Sequence, residues 1–142
     1  MIYKRYIQDK ITQDLHKKMV FVGGPRQVGK TTMAKNVGQS DFKDVVYLNW
    51  DYQEHRDIII KNRLPTDSSL VIFDEIHKYK RWKNYLKGLY DVHGDKSRFL
   101  VTGSARLDLY QRGGDSLMGR YFYFRLHPFS LREMMIDSSF TV

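Results

Sequence analysis

One short run near the amino terminus combines glycines with a lysine and a hydroxyl residue. Residues 24–31 read GPRQVGKT, which matches the pattern G-x-x-x-x-G-K-[ST]. The glycines let the backbone wrap closely, so that successive N–H groups point inward at phosphate oxygens. A helix after the run directs its positive amino-terminal end at the same anion. The run therefore predicts a P-loop that binds the phosphates of a nucleoside triphosphate.

Within this loop the residue types suggest separate roles. Lys30 is a compact cation that reaches the β- and γ-phosphates, and the Thr31 hydroxyl is a ligand for Mg²⁺. The residues predicted to contact the nucleotide are Gly24, Pro25, Arg26, Gln27, Val28, Gly29, Lys30, Thr31 and Thr32.

A pair of acids follows an apolar run at residues 70–75, which read LVIFDE. Ligands of open α/β sheets bind at the carboxyl ends of the strands, and this run places Asp74 and Glu75 there. Asp74 is predicted to hold the metal, and Glu75 to orient an attacking water as a catalytic base. The alternative is that the pair only caps the next helix. His77, which follows shortly after, is interpreted as structural.

A third apolar run ends in small polar residues, at 99–104, which read FLVTGS. A hydroxyl here would hold the attacking water or contact the γ-phosphate. Thr102 and Ser104 are the candidates, and the sequence does not choose between them. The alternative is a polar strand end in an ordinary loop.

These motifs need a scaffold that brings them to one edge. Apolar runs predict strands at 19–22, 45–48, 70–73, 99–102 and 121–126. Helical periodicity predicts helices at 3–18, at 31–37 with a stop near Gly38, at 57–63, at 81–92 and at 130–136. Continuous apolar strands separated by helices are typical of a parallel sheet covered on both faces, an α/β three-layer fold. The length of 142 residues favours one domain, 1–142.

Composition restricts the class of protein. The chain has no cysteine, which excludes disulfides and thiolate metal sites. No stretch approaches the ~20 apolar residues that span a bilayer, and the start lacks the apolar region of a signal peptide, so we expect a cytoplasmic protein without a membrane contact. The net charge of +8 favours polyanionic partners such as nucleotide, nucleic acid or an acidic protein surface. A lysine-rich solvated surface explains this charge equally well.

Four blocks together resemble a known group of proteins. They are GGPRQVGKTT, LVIFDEIHK, FLVTGSARL and LMGRYFYFRLHPFSLREM, and they span roughly residues 16–136. In this order they resemble the AAA+-type ATPases, and more narrowly a prokaryotic family of uncharacterised AAA+-like ATPases whose longer members carry a separate C-terminal domain. The resemblance implies a P-loop NTPase fold with a parallel five-stranded sheet in the order 5-1-4-3-2. It also implies that ATP, rather than GTP, is the nucleotide.

The resemblance assigns roles to the same residues. It implies that Lys30 and Thr31 contact phosphate and Mg²⁺, that Asp74 is the metal acid, that Glu75 is the base and that residues 102–104 form the sensor region.

Two further features follow from the resemblance. Arg120 matches an arginine typical of the last block, which would reach a γ-phosphate in its own subunit or in a neighbour's, or would only anchor the fifth strand. Longer relatives continue beyond the equivalent of Val142, so we expect an ATPase core without the helical lid or the C-terminal domain.

The sequence thus predicts Mg²⁺-dependent ATP hydrolysis, with a homo-oligomer or a protein partner as possible context. One alternative is a nucleotide-gated module that binds protein or DNA with little turnover. Another is a small-molecule kinase, although the pair of Asp74 and Glu75 suits water activation better than activation of a substrate hydroxyl.

Overall fold

A computed structural model describes residues 2–26, 29–65, 67–104 and 117–126, with the side chains omitted for residues 2–6. The chain alternates helices and strands. In order these are α1 (Ile2–Leu15), β1 (Met19–Gly23), α2 (Lys30–Asp41), β2 (Val45–Asn49), α3 (Gln53–Ile60), β3 (Leu70–Asp74), a 3-10 turn (Ile76–Lys78), α4 (Trp82–His93), β4 (Arg98–Thr102) and β5 (Tyr121–Arg125).

The strands form one parallel sheet in the order β2-β3-β4-β1-β5. This is the predicted order 5-1-4-3-2 seen from its other edge, so the predicted α/β fold is confirmed. The pairing register aligns Asn49 with Asp74, and Asp74 with Thr102. The polar residues that end β2, β3 and β4 therefore lie side by side at the carboxyl edge.

The core consists of two apolar layers, one on each face of the sheet. Side chains alternate along a strand, so each central strand supplies both layers. Helices α1 and α2 pack on one face through residues that include Ile11, Met33 and Val37, where the sheet contributes Val22 and Ile72 among others. On the opposite face α3, the 3-10 turn and α4 pack against a larger cluster: Phe21, Leu48, Ile59, Phe73, Ile76, Trp82, Leu86, Leu89, Phe99 and Val101 are among its members.

Helix α2 continues past the predicted stop near Gly38 and ends at Asp41. Gly38 is buried inside the helix, and a Cβ there would lie 3.1 Å from a methyl carbon of Val45. Glycine at this position lets the helix approach the start of β2 closely. The prediction that it ends the helix was wrong because the glycine serves packing.

Helix α3 covers Gln53–Ile60, whereas the sequence predicted 57–63. Asn62 has a left-handed backbone with φ of 53°. Its N–H donates to the carbonyl of Ile59 at 3.2 Å, and the N–H of Arg63 donates to the carbonyl of Ile58 at 2.9 Å. These two bonds form a Schellman motif, which ends the helix before Pro65 is reached.

The remaining boundaries differ from the prediction by small amounts. Helix α1 ends at Leu15 rather than at residue 18, since the N–H groups of Lys17 and Lys18 both turn back to the carbonyl of Asp14. The predicted helix at 130–136 lies outside the described residues. Among the helices of the described part, none is long and apolar enough to cross a membrane.

Candidate functional site

The loop after β1 contains two positions whose backbone conformation favours glycine. Gly24 has φ of +149°, and a Cβ at this position would collide with the carbonyl oxygen of Leu126. Gly29, the residue just before α2, has φ of 85°, a left-handed conformation. The two glycines let the chain leave the sheet, pass close to the end of β5 and enter the helix. Gln27 and Val28, which the sequence included among the phosphate contacts, lie outside the described residues.

The Lys30 side chain lies inside this loop. Its ammonium donates hydrogen bonds to the carbonyl oxygens of Gly24 at 2.5 Å and Pro25 at 2.9 Å. The residue is only 8% exposed, and burial lowers the pKa of the ammonium below its usual value, against the opposing effect of the Glu75 and Asp74 carboxylates. The cation is thus held where the loop curves around it.

Asp74 ends β3 and accepts hydrogen bonds from three hydroxyl groups. Thr31 donates to Oδ2 at 2.7 Å, Tyr47 donates to Oδ2 at 2.6 Å, and Thr102 donates to Oδ1 at 2.9 Å. Asp74 is 5% exposed, so each of these bonds replaces water that the buried carboxylate has lost. The Thr31 bond joins the start of α2 directly to the end of β3.

Tyr47 is a site residue that sequence reasoning missed. Burial, and then its hydrogen bond to Asp74, raise the pKa of its hydroxyl above the ordinary value. The Asn49 side-chain amide donates to the same hydroxyl at 3.3 Å. The sequence did contain a signal for this contact. Tyr47 and Asn49 are two positions apart on β2 and so lie on the same face, and parallel pairing with β3 places Asp74 on that face as well.

Glu75 follows with a left-handed backbone, φ of 62°, and its N–H donates to the carbonyl of Thr102 at 2.9 Å. The chain then turns back through the 3-10 turn. As a result Nε2 of His77 lies 3.5 Å, and Nζ of Lys78 3.6 Å, from the same Glu75 carboxylate oxygen. The hydroxyl of Ser104 lies 3.2 Å from Nε2 of His77. His77 thus touches two predicted site residues, a role beyond the structural one expected from the sequence.

Several of these groups line one open cavity of about 380 Å³. It is lined by Arg26, Gly29, Lys30, Thr31, Thr32, Asp51, Asp74, Glu75 and Lys78. Most of these were predicted site residues, whereas Asp51 and Lys78 were not. The cavity combines two lysines with three acids, a lining suited to an anion that brings its own metal ion.

Comparison with known proteins places the chain in a family. The profile of a family described as AAA domain matches residues 16–135. The chain belongs to this AAA domain family. The match confirms the resemblance to AAA+-type P-loop ATPases that the four sequence blocks predicted.

Two curated relatives match this chain in sequence. They are uncharacterized proteins of Mycobacterium bovis and Mycobacterium tuberculosis, each 30% identical over 141 residues. The alignments cover 94% of this chain and 31% of each relative. The chain thus spans about a third of the length of the curated relatives it matches.

Solved structures with the same fold include the RuvB Holliday junction branch migration motor of Thermotoga maritima. The TM-score is 0.56 at 18% identity, over 94% of this chain and 51% of that chain. A point variant of the same RuvB gives a TM-score of 0.54 at 17% identity. At this level of identity the likeness concerns the fold.

The AAA domain presents oxygen ligands that fit a magnesium ion. Mg²⁺ binds through one or two protein oxygens together with substrate phosphates and waters. Thr31 Oγ1 and Asp74 Oδ2, 2.7 Å apart at the cavity wall, supply a hydroxyl and a carboxylate of this kind. Within the described ranges, histidines, cysteines and acids form no cluster of three or more that would hold a metal without phosphate.

Arg120 lies apart from the other predicted site residues of this AAA domain. The carbonyl of Arg120 accepts a hydrogen bond from the N–H of Met19, at the start of β1, whereas the P-loop follows the end of that strand. Its guanidinium donates to both carboxylate oxygens of Asp91 on α4, at 2.9 and 3.3 Å. The structure therefore does not bring Arg120 to the cavity that many of the other predicted site residues line. Its contacts favour the anchoring alternative.

Proposed function

We propose that this AAA domain binds ATP with Mg²⁺ and hydrolyses it to ADP and phosphate. The observation that carries the proposal is the hydrogen bond of 2.7 Å between Thr31 and Asp74. It joins the P-loop helix to the acid at the end of β3, with Lys30 and Glu75 lining the same cavity. The groups to which we assign phosphate binding, metal binding and water activation thus line one cavity.

Phosphate binding follows from the loop and the helix behind it. The first N–H groups of α2 have no partner within the helix, and its first residues, Lys30, Thr31 and Thr32, line the cavity, where the helix dipole favours an anion. Lys30 would exchange its two carbonyl contacts for phosphate oxygens. The exchange relieves the cost of burying the ammonium, because the phosphates supply the opposite charge that the carbonyls lack.

Hydrolysis requires a water activated next to the terminal phosphate. Glu75 lines the cavity one residue beyond the metal acid, and we assign it the role of the base. Mg²⁺ in the bound complex would neutralise charge on the phosphates. Thr102 is fully buried and donates to Asp74, so we assign it to orienting that carboxylate. Ser104, next to His77, remains the candidate for contact with the water or the γ-phosphate.

The biological context stays a prediction. Cytoplasmic location, assembly into a homo-oligomer and a polyanionic partner for the surface of net charge +8 are expectations from the sequence. Arg120 acting on a neighbour's nucleotide belongs with them, since it requires such an assembly.

The test is phosphate release by the purified chain with ATP and Mg²⁺, measured beside nucleotide binding. We expect Glu75→Gln to bind ATP at least as tightly as the unchanged chain while phosphate release falls about 100-fold or more, the usual contribution of a general base. Glu54→Gln removes an exposed acid in the first turn of α3 and is the matched control, with unchanged release. Retained turnover in Glu75→Gln would contradict the assignment of Glu75 as the base.

Two other outcomes separate the alternatives. ATP binding without release, which rises when DNA or a partner protein is added, would favour the nucleotide-gated module. A phosphorylated product in place of free phosphate would favour a small-molecule kinase. Failure to bind ATP at all would contradict the proposal.

A further inference from the structure

A chain of charged and polar side chains crosses the carboxyl ends of three neighbouring strands. It starts at Asp51, just after β2, whose Oδ1 lies 2.7 Å from Nζ of Lys78. Lys78 continues to Glu75 at 3.6 Å, Glu75 to His77 at 3.5 Å, and His77 to Ser104, after β4, at 3.2 Å. Glu75, the proposed base, is therefore in contact with two basic side chains of its own chain.

The backbone explains why Lys78 lies there. The left-handed conformation of Glu75 turns the chain back, and the 3-10 turn then places Ile76 fully inside the core. With Ile76 directed inward, the residues after it lie at the rim of the cavity. Lys78 lines the same cavity as Lys30 and is its second lysine.

The contacts of Lys78 are exchangeable. Its side chain is 38% exposed, and that of Asp51 is 49% exposed, so water screens the pair and the net gain from it is small. The hydrogen bond that Lys78 donates to Asp51 raises the pKa of Lys78 above its ordinary value, which keeps the side chain a cation. An anion with several negative charges competes well for such a cation, because charge-assisted bonds to phosphate are among the stronger contacts a lysine makes.

We propose that Lys78 is a sensor of the terminal phosphate: without nucleotide it holds Glu75 and Asp51, and with a triphosphate in the cavity it contacts the γ-phosphate and releases Glu75. This inference rests on the proposed function. It gives the cavity a further phosphate cation from within the chain, beside Lys30 and Arg26, at the edge of the sheet opposite to Arg120. It also frees Glu75 from its lysine contact when a triphosphate, rather than a diphosphate, is bound.

The experiment compares the affinities for ATP and ADP, each with Mg²⁺, by calorimetric titration of the full chain. The variants are Lys78→Ala and Asp51→Asn, alone and combined. Lys80→Ala, which removes an exposed lysine two positions further along, is the matched control. Thermal unfolding of each variant verifies the fold, which we expect to persist because the changed side chains are exposed.

For Lys78→Ala we expect the affinity for ATP to fall about tenfold and the affinity for ADP to change less than about twofold, since only ATP carries the γ-phosphate. Asp51→Asn removes a competitor for Lys78, so the preference for ATP over ADP rises. That rise disappears when Lys78→Ala is also present. Lys80→Ala leaves both affinities unchanged.

Equal losses for ATP and ADP in Lys78→Ala, or no loss in either, would overturn the sensor role. If Lys30→Ala still abolishes binding of both nucleotides in that case, the proposed phosphate site stands and only the sensor fails. If the unchanged chain binds neither nucleotide, both the proposed function and the sensor fail.

Discussion

The hydroxyl of Tyr47 offers a test of the site that does not depend on any ligand. Tyr47→Phe keeps the ring and removes the hydroxyl, which donates to Asp74 at 2.6 Å and accepts a longer bond from Asn49 at 3.3 Å. Phenylalanine fills nearly the same space, so no cavity forms. The loss of stability in this variant is therefore mainly the loss of one donor to a buried carboxylate.

The structure sets the expected size of the effect. A hydrogen bond to a charged group contributes about 1.5–3 kcal/mol. Asp74 keeps two other donors, Thr31 and Thr102, so we expect a loss in the lower half of that range, about 2 kcal/mol in the free energy of unfolding. In Asp74→Asn the acceptor is neutral, and Tyr47→Phe should then cost about 1 kcal/mol.

Urea unfolding at pH 7 measures this loss. With a slope near 2 kcal/mol per molar urea, Tyr47→Phe should lower the midpoint by about 1 M without a change in slope. Tyr52→Phe is the matched control, because Tyr52 is 57% exposed, and its midpoint should shift by less than about 0.3 M.

The pH dependence has a defined sign. The pKa of Tyr47 is raised in the folded chain, so its contribution is fully present below the ordinary value of 10.0 and is lost as pH rises above it. The loss of unfolding free energy in Tyr47→Phe should therefore be constant up to about pH 10 and become smaller at higher pH. Equal midpoints for Tyr47→Phe and Tyr52→Phe at pH 7 would refute the account of Asp74.

Further variants test the loop, its lysine and the far edge of the sheet. Gly24→Ala should lower the free energy of unfolding by about 1–3 kcal/mol because of the backbone conformation alone. Gly88→Ala should raise it by about 0.5–1 kcal/mol in the same urea titration, because Gly88 is exposed within a helix and has open space around it. Burial lowers the pKa of Lys30, so the unfolded chain binds more protons than the folded chain as pH approaches the ordinary value of 10.5. The unchanged chain should therefore gain stability relative to Lys30→Met as pH rises towards 10.5, and a constant difference would contradict the burial of the charge. Arg120→Ala should bind ATP within about twofold of the unchanged chain, a range set by its distance from the cavity, and a tenfold loss would show that it reaches the phosphates.

The sheet and the phosphate motif were predictable from the sequence because each is encoded locally. Strands buried on both faces appear as continuous apolar runs, and β3 is buried along its whole length. The P-loop pattern specifies a backbone, and Gly24 and Gly29 adopt the positive φ angles that the pattern requires. Strand order came from the resemblance, since no local feature states which strands are neighbours.

The contacts around the two acids were not predictable in the same way. Tyr47 belongs to an apolar run, and only the pairing register of β2 with β3 shows that its hydroxyl meets Asp74. The approach of His77 and Lys78 to Glu75 depends on the left-handed backbone conformation of Glu75 itself. A residue other than glycine rarely adopts this conformation.

The position of Arg120 could have been derived. It directly precedes the predicted fifth strand, and the residue before a parallel strand lies at the amino edge of the sheet. The P-loop leaves the opposite, carboxyl edge. Motif identity left open whether Arg120 contacts phosphate or anchors the fifth strand, whereas the direction of the strand favours anchoring within one chain.

The central claim is that the loop around Lys30 is a nucleotide phosphate site. The most direct test is a titration of the chain with ATP and Mg²⁺, comparing Lys30→Ala with Lys35→Ala, an exposed lysine on the same helix whose ammonium lies over the Tyr47 ring. The account predicts that binding is lost in Lys30→Ala and retained in Lys35→Ala. Equal ATP affinity in the unchanged chain and in Lys30→Ala would contradict it.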